Sequence, residues 1–301
     1  MPSSFEETLR PTIESRKRQI TRRGFLAAAA ASLPLLGLYS NEVARHLIDI
    51  TNRTFFIRRL PPAFEGFRFV QISDIHLEEF AEDYFLRRVV DHINRLAPDL
   101  VLITGDYVSR GPLPTRFALA AASRCGELLD NLTCPLRFGV LGNHDGAVGA
   151  RDVRARLEGN GTPLLVNEHV AIERGGDRIW LAGTDEASES EPNLDLAIPE
   201  HPDAPVILMA HEPDFVDHVL THKRAPLIDL MLSGHTHGGQ VRIPGLRPLS
   251  LPPLGKIYPE GHYLLNDLQL YVNRGIGTVG LPLRLNCPPE ITVATLRRAL
   301  D

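Results

Sequence analysis

Five short polar clusters in this chain each follow an apolar run: Asp74-Ile75-His76, Gly105-Asp106, Gly142-Asn143-His144-Asp145, His211 and Gly234-His235-Thr236-His237. Together they offer carboxylates, imidazoles and one carboxamide oxygen, but no thiolate. That donor set suits manganese, iron or zinc and gives no reason to expect a soft metal. One such cluster would mean little, whereas five in series supply enough donors to hold two cations. Two ions about 3.5–4 Å apart can share a hydroxide and clamp a phosphoryl group from both sides. A carboxylate bridging them offsets part of the repulsion between the two positive charges.

The elements that must position these residues are legible as strands ending at the clusters. Residues 67–73, 100–104, 136–141, 206–210 and 228–233 are strand-like, and each runs into one of the five. In open α/β sheets the loops leaving the carboxyl ends of strands converge on one rim, so donors placed there share a rigid frame. Helical spacing over 81–96, with Phe85, Val89, Val90 and Ile93 on one face, stops at Pro98. The run 100–104 is apolar throughout, as expected of a strand buried on both faces. Further helices are predicted over 114–129 and 150–158. Beyond residue 160 strand-like pieces come closer together: 164–167, 169–174, 178–183, 240–243, 263–265, 270–273 and 291–296. Gly175-Gly176-Asp177 marks a hairpin between two of them. The pattern predicts a pair of central sheets with helices outside, βαβ in the first half and hairpin-rich in the second. No repeat and no linker interrupts it after about residue 60, so residues 46–301 read as one catalytic domain.

The chain has 301 residues and a net charge of −5, which shows no footprint of a general nucleic-acid binder. Seven basic and four acidic residues precede residue 46, leaving 25 basic and 33 acidic residues in the body. Basic character therefore sits at the amino terminus. Cys125, Cys134 and Cys287 form no CxxC pair and read as unpaired, buried, small apolar residues, Cys287 at a packed turn before two prolines.

Residues 1–45 read as an address. Arg22-Arg23 stand directly before Gly24-Phe25-Leu26 and an alanine-rich apolar stretch that Pro34 interrupts. The paired arginines resemble a twin-arginine export signal. The apolar stretch is too weak for a stable spanning helix, which needs about 20 strongly apolar residues. Export by that route would leave the protein periplasmic or otherwise extracytoplasmic. Val43-Ala44 matches a cleavage site poorly, so the segment is either a removed signal or a retained anchor.

The series D-x-H, G-D, G-N-H-D, a lone His after a strand, and G-H-x-H resembles that of the calcineurin-like metallophosphoesterases. The resemblance spans residues 65–298 and implies their four-layer α/β/β/α sandwich of two mixed sheets. It also implies roles. Asp74, His76 and His237 would hold the first metal; Asn143, His211 and His235 the second; Asp106 would bridge both. His144 would contact the phosphate and protonate the leaving oxygen. Asp145 completes the motif without touching metal. The stretch 105–111 resembles the GDYVDRG loop of protein serine/threonine phosphatases, in which Arg110 would grip phosphate oxygens. Ser109 stands where those enzymes keep the aspartate that orients the catalytic histidine, so the orienter of His144 is left open.

The compact body with its twin-arginine start resembles a small bacterial branch that includes exported phosphoesterases and enzymes similar to UDP-2,3-diacylglucosamine hydrolases of lipid A synthesis. The endings 273–277 and 287–291 look like that branch as well. The resemblance implies a hydrolase of phosphodiesters or pyrophosphates with two divalent ions, manganese first and iron or zinc next. It implies a small-molecule or lipid-linked substrate, with export machinery at the amino terminus. A nucleotide-linked lipid suits an anchor facing inward; an exported enzyme would meet a wall or head-group phosphoester. The alternatives are an exported phosphomonoesterase or nucleotidase, and a non-catalytic metal-bound binding module. The proline-rich stretch 244–259, with Leu246, Leu249, Leu251 and Leu254, reads as a rigid packed loop or as an apolar lip that meets acyl chains or a membrane surface. His46, His92, His169, His201, His218, His222 and His262 lack motif context and read as surface or core residues. Glu78 and Glu79 read as a solvated helix start.

Overall fold

The computed structural model describes residues 21–23, 32, 34–77 and 82–299. The chain divides into a unit of residues 1–38 and a unit of residues 39–301. Of the first, residues 34–38 are helical and exposed, as are Arg22 and Arg23. Most of the address, and Glu78 and Glu79, lie outside the described residues. No helix among the described residues is long and apolar enough to cross a membrane. The second unit starts at Tyr39, ahead of the expected start at residue 46, because a turn of helix over Tyr39–Val43 packs into it. Ser40 and Arg45 are buried there, and the Ser40 carbonyl accepts the Arg284 backbone N–H.

The main unit is built on two mixed sheets. The first contains β1 (Asp49–Ile57), β2 (Arg68–Ile72), β3 (Leu100–Ile103), β4 (Arg137–Gly139) and β11 (Glu290–Arg298), in the order β1-β11-β2-β3-β4. The second contains β5 (Glu168–Arg174), β6 (Asp177–Gly183), β7 (Val206–Met209), β8 (Ile228–Ser233), β9 (Gly261–Leu265) and β10 (Leu268–Val272), in the order β5-β6-β7-β8-β10-β9. β2, β3 and β4 run parallel, as do β6, β7 and β8, while β11 is antiparallel to β2.

Alternation along the strands sorts side chains into layers. On β3, Leu100 and Leu102 enter the core between the sheets, while Val101 and Ile103 face helices α1 (Asp83–Leu96), α2 (Thr115–Leu129) and α3 (Asn143–Glu158). On β7, Ile207 and Met209 enter the same central core, and Val206 and Leu208 face the opposite way. There they meet short helices α4 (Leu194–Ala197) and α5 (Val216–Thr221) through Leu194, Val216 and Val219. The result is the expected four-layer α/β/β/α sandwich.

Four elements differ from the sequence expectations. β1 was not expected; it is an exposed edge strand held by nine parallel register pairs with β11. Residues 240–243 are not a strand, because Gln240 has φ 55° and Val241 makes a single bridge to Leu285. Residues 164–167 also reduce to one bridge, Leu164 to Gly139. Helix α3 begins at Asn143, well before residue 150, and kinks at Gly149, where φ is 136°. All three cysteines are free and buried.

Candidate metal centre

The site lies where β2, β3, β4, β7 and β8 end. Asp74, His76, Asp106, His235 and His237 all take left-handed backbone angles, with φ between 47° and 72°. Such angles cost a non-glycine residue about 1–2 kcal/mol each, so surrounding contacts must impose them. The loops brace one another: Asp74 N–H donates to Gly105 O, and His76 N–H to Asp106 O. His235 N–H donates to the Asp74 carboxylate and His144 N–H to Asp106 Oδ1 at 2.9 Å. A side chain on Gly142 would strike the Asp106 carboxylate, and one on Gly234 would strike Ser73 and Asp74. Glycine there lets the strand-end loops close over the carboxylates.

The predicted donors fall into two groups that share Asp106. In the first, His76 Nε2 and His237 Nε2 are 3.0 Å apart, and Asp74 Oδ1 lies 3.4 Å from His237 Nε2 and 3.9 Å from His76 Nε2. In the second, His211 Nε2 lies 3.2 Å from His235 Nδ1 and 3.2 Å from Asp106 Oδ2. The same Asp106 oxygen stands 3.5 Å from His76 Nε2, so it faces both groups. Metal–ligand bonds of about 2.0–2.2 Å place neighbouring donors about 3–3.5 Å apart, which these spacings match. Asn143 Oδ1 is buried without a hydrogen-bond partner. A buried acceptor left unsatisfied is costly unless a cation or water takes it. The residues therefore fit divalent metal ions.

The far sides of the rings set which nitrogen faces inward. His211 Nδ1–H donates to Thr104 O at 2.6 Å, and His235 Nε2–H to Pro253 O at 2.8 Å. His76 Nδ1 meets Ser109 Oγ at 2.9 Å. Ser109 thus serves His76, a member of the first donor group, and not His144. The orienter that the sequence left open for His144 is the Arg110 backbone N–H, which donates to His144 Nδ1 at 3.0 Å. A neutral His144 then carries its proton on Nε2. The Arg110 side chain itself is exposed and does not line the cleft.

Charge is distributed to suit cations. Burial holds His76, His237 and His235 below the ordinary imidazole range, so these rings are neutral and ready to ligate. Burial also opposes charge on His211, but the Asp106 carboxylate outweighs it and lifts that ring well above the usual value. Asp106 is correspondingly held low: burial alone would raise it, and His211 and His76 prevail. Asp145 stays off the metal groups. It accepts the N–H groups of Tyr107, Val108 and Gly142, while burial and then Asp106 push its carboxyl up to about 8.

The site opens into a cleft of ≈ 720 Å³. Its floor is His76, Asp106, Asn143, His144, His235 and His237, and its walls include Leu249, Leu251, Val279, Leu281 and Leu283. A cavity of ≈ 690 Å³ between the end of β1 and the β9–β10 hairpin contains none of these donors. Two features escaped sequence reasoning. Gln240 ties the wall together by hydrogen bonds to Val279 and Leu281. Arg284 is fully buried behind His237; a single charge inside the apolar run 279–285 was the available signal.

Fold and site together define a metal-dependent hydrolase whose donors sit on the tips of two facing sheets. Residues 67–239 match the calcineurin-like phosphoesterase family, and the chain belongs to it. It is accordingly a hydrolase acting on phosphoester bonds. It is 33% identical over 287 residues to the uncharacterized metallophosphoesterase YkuE of Bacillus subtilis, covering 93% of this chain and 97% of that one. It is 29% identical over 298 residues to phosphodiesterase YaeI of Escherichia coli, covering 92% and 99%. It is 27% identical over 326 residues to the UDP-2,3-diacylglucosamine pyrophosphatase LpxG of Chlamydia trachomatis, covering 88% and 94%.

Proposed function

We propose that the chain hydrolyses a phosphodiester or pyrophosphate whose substrate carries an apolar, lipid-like group, in the manner of UDP-2,3-diacylglucosamine. The observation that carries this reading is the meeting of two donor groups at one Asp106 oxygen, on the floor of a cleft walled by leucines. The names of two relatives, a phosphodiesterase and a UDP-2,3-diacylglucosamine pyrophosphatase, support it. In this reading Asp74, His76 and His237 hold one ion, Asn143, His211 and His235 the other, and Asp106 both. The mixed oxygen and imidazole donors favour manganese over softer ions. When bound, the ions supply an activated water and neutralise charge on the phosphoryl oxygens.

The chain's own groups do the rest. His144, whose ring the Arg110 N–H orients through Nδ1, turns Nε2–H to the departing oxygen and passes it a proton as the attacking water gives one up to the ring, so the ring ends neutral. Asn143 and His144 open helix α3, whose amino-terminal N–H groups favour the phosphate charge. Arg110, exposed beside His144, meets the part of the substrate that projects from the cleft. Ile243, Leu246, Leu249, Ile257 and Leu281 are large, exposed and apolar, which supports contact with acyl chains or a membrane surface. Arg22-Arg23-Gly24-Phe25-Leu26 and the apolar stretch after them support engagement of the export machinery by a twin-arginine route. The product would be periplasmic, otherwise extracytoplasmic, or held at the membrane.

The test is turnover of bis-p-nitrophenyl phosphate and of p-nitrophenyl phosphate by the manganese-loaded chain. Diester turnover should dominate and should fall by more than about 100-fold in Asp106→Ala and His237→Ala, beyond what outer-sphere residues cost. Preference for the monoester would point to a nucleotidase-like enzyme. Inertness with manganese, iron and zinc alike would favour a binding module and sink the proposal.

A further inference from the structure

Three of the four metal-facing histidines are backed by an oxygen atom: Thr104 O behind His211, Pro253 O behind His235 and Ser109 Oγ behind His76. His237 differs. Among the described residues the group behind its Nδ1 is the Arg284 guanidinium, 3.4 Å away and fully buried; it has no acceptor for the Nδ1–H of a ring that ligates through Nε2, so it holds that ring by packing and not by a hydrogen bond. Arg284 makes no ion pair among the described residues. It donates instead to the carbonyls of Gly277 and Cys287, at 3.0 and 3.1 Å, and to those of Arg274 and Gly275, at 3.0 and 3.1 Å. A buried guanidinium needs several acceptors in fixed places, so this cage locks its plane.

Those carbonyls belong to the loop that holds Asp74. Ile276 N–H donates to Ser73 O, and Gly277 N–H to Asp74 O at 2.7 Å. A side chain on Gly275 would press into Asp74. The other arm is held through its backbone: Gly238 N–H donates to Thr236 Oγ1 and Gln240 N–H to the His237 carbonyl. His237, Gly238, Gly239 and Gln240 are four successive residues with positive φ, of 50°, 58°, 79° and 55°, a sharply turned path. Cys287 Sγ–H donates to the His237 carbonyl at 3.1 Å, which fixes the backbone but not the ring. Arg284 therefore stands between the Asp74 loop and the His237 ring, and it makes no hydrogen bond to Asp106, Asn143, His211 or His235.

We propose that Arg284 is a positioning residue for the first metal ion alone: it sets the His237 ring against Asp74 and thereby governs affinity at Asp74, His76 and His237. The inference rests on the two-metal reading above. Its test is Mn(II) binding to the metal-stripped full chain, followed by calorimetry and elemental analysis, for the native chain, Arg284→Met and Arg284→Lys, each also in a His235→Ala background. The native chain should take two equivalents. Arg284→Met should keep one equivalent at native affinity and bind the other roughly 10–100-fold more weakly, the range for outer-sphere partners of metal ligands. In the His235→Ala background the remaining equivalent should be the weakened one. Arg284→Lys, which keeps the charge and the buried stem, should show the same selectivity at smaller size and stands in where Met prevents folding. Excess manganese should restore diester turnover. Equal weakening of both equivalents, or none, overturns the proposal and leaves Arg284 a core residue. A native chain that binds no manganese overturns the metal reading instead.

Discussion

The two ends of the cleft are built on opposite principles. Its floor stands on short parallel strands whose residues are almost wholly buried, Leu100–Ile103 and Val206–Met209 above all. Its walls, by contrast, come from residues 239–259 and 274–289, where turns, prolines and exposed leucines prevail. The floor holds seven donors, five of them in strained backbone conformations that only a rigid surround can keep. The walls need only be held by a few polar ties, such as Gln240 to the 279–281 loop. In the proposed reading chemistry is thus separated from selectivity: the floor fixes what bond is cut, and the walls decide what surrounds that bond.

Substitutions on either side should sharpen this contrast. On the floor, His144→Gln should lower kcat for a poor leaving group by roughly 100- to 10,000-fold, the range for a lost general acid. A nitrophenolate, which departs without a proton, should suffer far less. Equal losses for both leaving groups would remove His144 from the acid role. Beneath the floor, Leu102→Ala empties a fully buried position between the sheets and should cost about 2–5 kcal/mol in denaturant melts. Activity per folded molecule should change little.

Acid should act on the floor as well. His76, His235 and His237 are held below the ordinary value of 6.5 in the folded chain, chiefly by burial. The unfolded chain therefore binds more protons in acid, so stability present above about pH 6.5 is lost as pH falls through the folded values. His211, raised by Asp106, works the other way but is one ring against three, so melting in chelator should drop between about pH 7.5 and about pH 5.5; a rise on acidification would show that these three rings are not held neutral. The smallest effect belongs to the wall. Leu281→Ser, at an exposed site, should shift stability by no more than about 0.5 kcal/mol while raising KM for an acyl-bearing diester and sparing a small one. Parallel changes in both substrates would deny the wall its selecting role.

Much of the floor was legible because an apolar strand followed at once by Asp, His or Asn is a local signal, and the donors of both groups sit at such places. Asn143 was legible as a donor but not as a helix start, since Gly146 and Gly149 break the helical pattern of α3. The strand β1 was hidden for another reason. Its Thr51-Asn52-Arg53-Thr54 stretch has no apolar alternation, and it forms because β11 offers it a partner. Residues 240–243 misled in the opposite direction: Val241 and Ile243 look like a strand, but Gln240 turns the backbone out of line with a φ of 55°. The tie from Arg110 N–H to His144 is a main-chain contact, which side-chain types cannot announce.

The position of β11 has a consequence for how the molecule is made. It lies inside the first sheet, flanked by β1 and β2, strands synthesised roughly two hundred residues earlier. Until residues 290–298 leave the ribosome, the edge of β2 that they cover stays open, and the loop bearing Asp74 and His76 hangs from an incomplete sheet. Such distant pairings are slow to find, and an open edge invites partners from other chains. Nascent molecules should accordingly need shielding until the last strand arrives, and metal capture should trail synthesis rather than accompany it.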